Sequence, residues 1–382
     1  MKSDLIHPIR FMRRFPEGKA LAQALGRSIG NGALKVQDYA RMSEKATETY
    51  NLEVDRLPFE FRPNDADTLF DTLSIIASIG VFISRGRNIF AIDSGLVAML
   101  GRTDLSGVRT GDIKLPFEAF YLSFGDAFEW SLPGHPNRID GVYVNATVGL
   151  LEMMVTCHRT AGHRKSWVLG HETYFYLPID PRHEDRTFEE AISVAIAARD
   201  IRIEPDWDEI GELRSAAEHL RDEGYPVGTP AITAGERQAK FNREALASAR
   251  RAVMLAVNAI CYLTAAPDAV GAPTYPDDTP EGMTSAVALG RKSARHAAKA
   301  QMLDGGWLPI RLISSPAPSF VGVDGSEGGA ARAPHWRRGH WRRQPCGSGR
   351  AEIKLTWIRP TLVRGDIGEP AAGHLYHSGV RS

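Results

Sequence analysis

The sequence is poor in cysteine, has no excess of either charge and lacks long apolar runs, and each shortage excludes a class of protein. Its three cysteines, Cys157, Cys261 and Cys346, form no CxxC pair, so we expect a reducing compartment and no disulfide framework. The first twenty residues lack the apolar core of a secretory signal. The best apolar run, 73–81, is far shorter than the roughly 20 residues of a membrane span. We therefore predict a cytoplasmic protein with no membrane contact.

Motifs for cofactor chemistry are also missing. The sequence contains no GxxxxGK[ST], GxSxG or HExxH pattern, and Gly347-Ser348-Gly349 has too few glycines for a dinucleotide fingerprint. His335, His340 and Cys346 resemble zinc ligands, but residues 335 and 340 point to opposite faces of a strand and a fourth ligand is lacking. We predict no metal, no cofactor, and a binding protein more than an enzyme.

Two hydrophobic periodicities predict an α+β fold. Residues 115–124, 141–144, 150–157 and 172–177 are rich in aromatic and branched side chains, which favours strands of one antiparallel sheet with flanking helices. Three- and four-residue apolar spacing predicts a helix at 65–80 that ends at a glycine, and a long one at 236–263. Capping patterns at 187–190 and 233–236 mark helix starts, a further helix is expected at 280–302, and a strand at 307–313.

These elements divide the chain into four segments. Residues 1–180 form an N-terminal portion of helices and antiparallel sheet, and residues 181–313 form a mainly helical central portion. A stretch rich in glycine, serine and alanine, 314–333, is predicted to be a flexible linker. Residues 334–366 form a basic C-terminal β-hairpin.

The hairpin is predicted from strands at 335–343 and 352–363 that flank the turn residues 345–349. The return strand places Ile353, Leu355 and Trp357 on one face, so we expect that face to pack on a core. The first strand alternates differently, with Arg337, Trp341 and Arg343 on one side and four other residues on the opposite side. Those four are Trp336, Arg338, His340 and Arg342. We expect this strand to lack an apolar face.

The hairpin also concentrates positive charge. From Arg332 to Arg364 there are nine basic residues, eight of them arginine, against the single acid Glu352. Arginine interleaved with tryptophan is suited to holding phosphates and stacking on bases. The predicted nucleic-acid-binding residues are Trp336, Arg337, Arg338, His340, Trp341, Arg342 and Arg343. An acidic stretch at 178–225, with fourteen acids and six bases, could mask this surface or leave it free for a partner.

Two other functions fit the same segment. Glu352 and Lys354 match the E-x-K half of a metal-dependent nuclease core, with Asp324 as a candidate upstream acid for Mg²⁺. Such a pair is also common as a surface salt bridge. Alternatively, the arginines could recognise an acidic or nascent polypeptide, which would make the hairpin a pure protein-interaction module.

The segment HWRRGHWRRQ, followed by a glycine turn and KLTWIRPTLV, resembles the C-terminal signature of a protein family carried by phages and mobile elements. That family is related to a type V-A anti-CRISPR protein. The central GDIKLPFEAFYLSFG and IDGVYV resemble the same family, so the likeness covers about 65–180 and 333–364. The resemblance implies a regulator that lowers production of the RNA-guided nuclease, acting on its transcript in a way tied to translation. The expected partners are RNA, a translating ribonucleoprotein or a nascent polypeptide of the effector.

Overall fold

The computed structural model describes residues 6–14, 16–33, 66–125, 137–147, 150–159, 173–180, 185–198, 215, 218–219, 221–224, 230–314, 320–321 and 335–363. The main helices in these ranges are α1 (His7–Arg14), α2 (Pro16–Gly30), α3 (Ala66–Ser84), α4 (Ser94–Leu100), α5 (Phe188–Ala197), α6 (Pro230–Ala265), α7 (Glu281–Leu289) and α8 (Lys292–Gly305). The strands are β1 (Asn88–Ile92), β2 (Thr103–Asp104), β3 (Ala119–Ser123), β4 (Asn137–Thr147), β5 (Leu150–Arg159), β6 (Thr173–Ile179), β7 (Val270–Thr274), β8 (Ile310–Ile313), β9 (Phe320–Val321), β10 (His335–Arg337), β11 (Gly339–Cys346), β12 (Glu352–Ile358) and β13 (Thr361–Val363). The α+β class is confirmed.

The central element is a seven-stranded sheet with the order β6-β5-β4-β3-β1-β8-β7. Strands β3 to β6 form the predicted antiparallel run. The sheet as a whole is mixed, however, because β1 lies parallel to both β3 and β8. The chain between β1 and β3 passes through α4 and β2, which gives the length that a parallel crossover needs. Strand β1, which lies inside the sheet between β3 and β8, was missed by the sequence prediction.

Helices cover both faces of this sheet, as the alternation along β1 shows. Phe90 and Ile92 belong to one core cluster, which includes α4, α5, the C-terminal half of α6 and the hairpin residues Trp341 and Leu355. Ile89 and Ala91 belong to a second cluster on the opposite face, with α1, α2 and α3. The two-residue period of a strand thus decides which layer each side chain joins. Side chains from both sides of the predicted boundary at residue 180 share the first cluster; the four-segment division remains a prediction.

Three helix boundaries differ from those predicted. Helix α3 continues past Gly80, which packs closely on α2: a Cβ on Gly80 would lie 3.2 Å from the Leu25 Cβ, and a Cβ on Gly26 would lie 2.8 Å from the Gly80 carbonyl oxygen. Helix α6 begins at Pro230, so the pattern at 233–236 lies inside the helix. The helix predicted at 280–302 is two helices, α7 and α8, separated by the extended backbone of Gly290. The capping box at Thr187 is confirmed, since Thr187 and Glu190 exchange two backbone-to-side-chain hydrogen bonds.

A buried polar cluster attaches α1 to the sheet. Arg10 is 3% exposed and Asp140 is 0% exposed, and their side chains form an ion pair of 2.8 Å. Thr156 donates to the other carboxylate oxygen of Asp140 at 2.6 Å, and Arg10 also donates to the Cys157 carbonyl at 3.0 Å. Burying a charge is tolerated only where partners of this kind surround it.

Helix α6 is the longest of the described helices. Its residues Arg243–Ala265 are long and apolar enough to cross a membrane by composition alone, and 72% of the most apolar window is buried inside the protein. A core helix passes the same test, and Ala252, Ala256 and Ile260 indeed lie in the first core cluster.

Candidate nucleic-acid interface

The C-terminal hairpin, residues 335–363, is built on β11 and β12, which pair in antiparallel register from His340 opposite Ile358 to Cys346 opposite Glu352. The turn between them requires positive φ at Gly347, Gly349 and Arg350, a conformation that glycine adopts without cost. The strand predicted at 335–343 is divided, since β10 pairs with β13 in a separate sheet. The break falls at Arg338, and the following Gly339 is closely packed: a Cβ there would lie 2.7 Å from Pro360 and 2.8 Å from Thr103.

The inner face of the hairpin is apolar and belongs to the core. Trp341 is 4% exposed and Leu355 is 6% exposed. The rings of Trp341 and Trp357 stack with centroids 6.2 Å apart, and Tyr262 of α6 meets Trp357 edge-on at 5.2 Å. The expectation that β11 lacks an apolar face is therefore wrong. Trp341 is also not placed to stack on a base, because its indole packs inside the protein.

Hydrogen bonds fix this docking. Asn258 of α6, 2% exposed, accepts from the Trp341 indole N–H at 2.7 Å. Its side-chain amide donates to the carbonyls of Leu100 and Thr103 at 3.2 and 3.1 Å. The Trp357 indole N–H donates to the Thr103 hydroxyl at 3.1 Å. Both tryptophan N–H groups are thus satisfied, as buried indoles require.

One arginine of the predicted site is engaged by the protein itself. Arg343 forms an ion pair with Asp112 at 3.0 Å, and the Asp112 side chain is only 7% exposed. That carboxylate also accepts from the Arg109 backbone N–H at 2.9 Å. Arg343 therefore neutralises a nearly buried acid and anchors the hairpin. Because its guanidinium is already paired, it is less suited than the exposed arginines to bind a phosphate.

The outer face is basic and open to solvent. We define it as Arg338, His340, Arg342 and Lys354, together with Arg337 at the end of β10; all five are exposed. Arg337, His340, Arg342 and Lys354 form no ion pair with any residue that the structure describes. Two described acids lie on this side: Asp104, which pairs in register with His340 and accepts hydrogen bonds from Ser106, and Glu352, which is opposite Cys346 beside the turn. Arg337, Arg338, His340 and Arg342 are thus all exposed within a run of six residues, whereas the Trp336 side chain lies outside the described residues.

The nuclease pair lies on the same hairpin. Glu352 and Lys354 are both exposed on β12, opposite Cys346 and Gln344. Asp324, the candidate upstream acid, falls outside the described residues. Within the ranges that the structure covers, no group of three histidine, cysteine, aspartate or glutamate side chains could hold a metal ion.

Sequence reasoning missed the residues that orient the hairpin. Asn258 lies 83 residues from Trp341 and Asp112 lies 231 residues from Arg343, so no local pattern connects them. The sequence did contain one indication of Asn258: it is the one amide in an otherwise apolar stretch of α6, from Val253 to Leu263. A buried amide on an apolar face requires partners, and Trp341 supplies one.

Comparison with known proteins identifies a family. The model described as AcrVA2-like, the anti-CRISPR type V subtype A2 family, matches residues 90–365. A solved structure titled "Crystal structure of AcrVA2" is 11% identical over 92% of this chain and 95% of that chain, with a TM-score of 0.39, a value too low to carry a structural conclusion. The search of curated proteins found no match. The family match covers well over half of the chain and confirms the resemblance seen in the sequence; the chain belongs to the anti-CRISPR type V subtype A2 (AcrVA2-like) family.

Proposed function

We propose that this family member is a cytoplasmic regulator that binds RNA, or a translating ribonucleoprotein, through the basic outer face of its C-terminal hairpin. Binding would lower production of the RNA-guided nuclease of a type V-A system, on behalf of the phage or mobile element that encodes the regulator. Membership of the anti-CRISPR family supports the target class.

The division of the hairpin into two faces is the observation that carries the proposal. Trp341, Leu355 and Arg343 are committed to the protein interior or to Asp112. His340 and Arg342 are exposed on β11, the strand held by that packing, and Arg337 and Arg338 are exposed in the residues directly before it. Exposed arginines on a rigid support suit phosphate contacts, because the guanidinium fork matches phosphate oxygens and the strand needs little ordering on binding.

The outer face favours contact with the backbone of RNA over readout of its bases. Among the aromatic side chains of the hairpin whose exposure the structure describes, only His340 is exposed, since Trp341 is buried and Trp357 is half-buried beneath the Arg359 guanidinium, 5.8 Å from the ring centroid. Phosphate contacts position a nucleic acid without reading its sequence. Specificity for one transcript would then have to come from a second contact.

The test is fluorescence anisotropy of labelled single-stranded RNA, titrated at several salt concentrations. The variant R337A/R338A/R342A should bind more weakly, and the slope of log affinity against log salt should fall by about 2 if each arginine neutralises one phosphate. The matched control is R27A/K114A/R221A, which removes three exposed cations elsewhere and should retain both affinity and slope. Equal binding by the hairpin variant and the wild type would refute the assignment.

In cells that express the nuclease, its transcript should fall with the wild type and recover with the hairpin variant.

One observation favours a polypeptide partner as the second candidate. Among the described strands, β12 has a single neighbour, β11, and its Ile353 and Ile358 are 46% and 37% exposed. An edge strand with exposed apolar side chains can accept an extended peptide by strand addition. Binding of an acidic peptide that persists in high salt, without affinity for RNA, would establish this candidate in place of the first. No observation here favours the nuclease alternative, and loss of Mg²⁺-dependent RNA cleavage in E352A would be required to support it.

A further inference from the structure

A second basic surface lies far from the hairpin, on helix α8. The nine residues from Arg291 to Lys299 contain four lysines and arginines, His296, and no acid. Lys292, Arg295, His296 and Lys299 recur at three- and four-residue spacing, which places them on one side of the helix. All four are exposed, whereas Ala298 and Met302 are the buried residues of this helix.

These cations are not engaged by the protein's own carboxylates. Within the part of the chain that the structure describes, Arg291, Lys292, His296 and Lys299 have no ion-pair partner, and Arg295 donates only to the Gly290 carbonyl at 3.4 Å. Leaving several like charges close together on one helix is unfavourable, and an anionic partner would relieve their repulsion.

The surface is also partly concave. Arg291, Lys292 and His296 line an open depression of about 680 Å³, together with Ser293 and Ala297. Lys299 lies seven residues, about two helical turns, beyond Lys292. At 1.5 Å per residue, the cations therefore follow a path of roughly 10 Å along the helix. A path of separated charges fits an extended polyanion better than a single small anion.

We propose that this surface of α8 contacts the phosphate backbone of RNA, as a second site that rests on the RNA-binding function proposed for the hairpin. Protein–nucleic acid interfaces are polar and strongly positive, as this one is. A protein partner would need a buried apolar centre, but the residues between the cations are Ser293, Ala294 and Ala297. Leu289, 88% exposed, is the one large apolar side chain of the adjoining α7–α8 turn, too little to form such a centre.

The two basic surfaces lie on opposite sides of the central sheet. Leu303 of α8 packs against the cluster formed with α1, α2 and α3, whereas Trp341 and Leu355 of the hairpin belong to the cluster on the other face. A short RNA can therefore occupy one surface at a time, and a long RNA must wrap around the protein to reach both. This geometry makes the number of short RNAs bound per protein a direct measure of the second site.

The experiment counts bound RNA of about eight nucleotides by anisotropy titration at low salt, using the full chain. Two RNAs should bind per wild-type protein, and one per R291A/K292A/K299A protein. The hairpin variant R337A/R338A/R342A should also bind one short RNA, and a variant that combines all six substitutions should bind none. With a long RNA, the α8 variant should lower the salt slope by about 2, for three lost phosphate contacts. The control R27A/K114A/R221A should bind two short RNAs.

The outcomes separate failure of this proposal from failure of the hairpin assignment. One RNA on the wild type and none on the α8 variant would retain the α8 site and reject the hairpin. An α8 variant with unchanged stoichiometry and unchanged long-RNA salt slope would overturn the proposal. Preferential binding of labelled poly-glutamate over RNA, lost in the α8 variant, would overturn it in favour of an acidic protein partner.

Discussion

At the scale of single residues, Asn258 has the largest structural consequence. Its one side chain accepts from Trp341 and donates to the carbonyls of Leu100 and Thr103. It thereby joins α6, the end of α4, β2 and the hairpin at a point that water does not reach. Removing one member of such a buried network leaves the others without partners, and that desolvation cost exceeds the value of an ordinary hydrogen bond.

The Asn258–Trp341 bond can be tested by a double-mutant cycle. W341F deletes the indole N–H that donates to Asn258, and we expect a loss of about 1–3 kcal/mol in the free energy of unfolding. In the N258A background the same substitution should cost less, because the acceptor is already absent. Urea unfolding of the four proteins measures the coupling, and strictly additive losses would show that the bond contributes nothing.

His7 predicts a specific pH dependence. Burial, together with the smaller effect of the neighbouring Arg10 charge, lowers the pKa of His7 to about 3. The unfolded chain has a histidine pKa of about 6.5, so between these two values the unfolded state binds a proton that the folded state does not. Stability from this group is complete above about pH 6.5 and falls as the pH drops toward 3, by at most about 1.4 kcal/mol per pH unit.

The measurement is the free energy of unfolding at pH 7 and pH 5. The wild type should lose up to about 2 kcal/mol through His7 over this interval, and H7Q should lose correspondingly less. H296Q removes an exposed imidazole and controls for the loss of one histidine. If H7Q and H296Q have the same pH dependence, His7 is not the cause of the acid sensitivity.

At the scale of elements, α1 depends on one buried ion pair. The family match begins at residue 90, yet Arg10 of α1 is the cation that faces Asp140 of β4 inside the core. His7 adds a hydrogen bond to the Tyr143 hydroxyl at 3.0 Å. Asp140 lies within the matched region and α1 outside it, so the N-terminal helix supplies the cation that compensates this buried carboxylate.

Removing one partner of this ion pair should lower the stability of the protein more than replacing both partners. R10M leaves the Asp140 carboxylate buried without its cation, and we expect a loss of about 3–5 kcal/mol. R10M/D140N should recover part of that loss, because a neutral amide can still accept from Thr156 and Tyr121. R85A, which removes an exposed pair with Glu118, should cost about 0–1 kcal/mol. Chemical unfolding compares them, and a double variant no more stable than R10M would contradict the account.

The sequence predicted these elements to different degrees. The aromatic and branched residues of 115–177 correctly predicted β3 to β6, because such side chains favour strands of a packed sheet. Gly80 was read as a helix end, whereas it is a contact point between α2 and α3. Glycine is found in both situations, and only the neighbouring helix distinguishes them.

At the scale of the whole molecule, the hairpin is part of the core and not an appendage. Trp341 and Leu355 are buried in the same cluster as α4, α5 and α6, and β11 pairs with β2, which lies in the first third of the chain. An element that completes a core in this way should unfold together with it.

Truncation tests this cooperativity. A chain that ends at residue 334 lacks the hairpin and exposes Asn258 and Tyr262, so we expect a loss of stability on the order of 5 kcal/mol from two large buried side chains and their hydrogen bonds. A chain that ends at residue 366 keeps the hairpin and is the control. Calorimetry should show one transition in the full chain and a much lower Tm in the shorter one; an unchanged Tm would mean that the hairpin is an independent module.

The sequence by itself determined the α+β class, the long helix, the hairpin with its excess of arginine, and the resemblance to the anti-CRISPR family. All of these follow from local periodicity, turn residues and short motifs. Only the tertiary structure decided which side of the hairpin faces outward: Trp341 is held inside by Asn258, and Arg343 is taken by Asp112, 83 and 231 residues away. A two-residue period separates the faces of a strand, but it does not say which face a distant helix will cover.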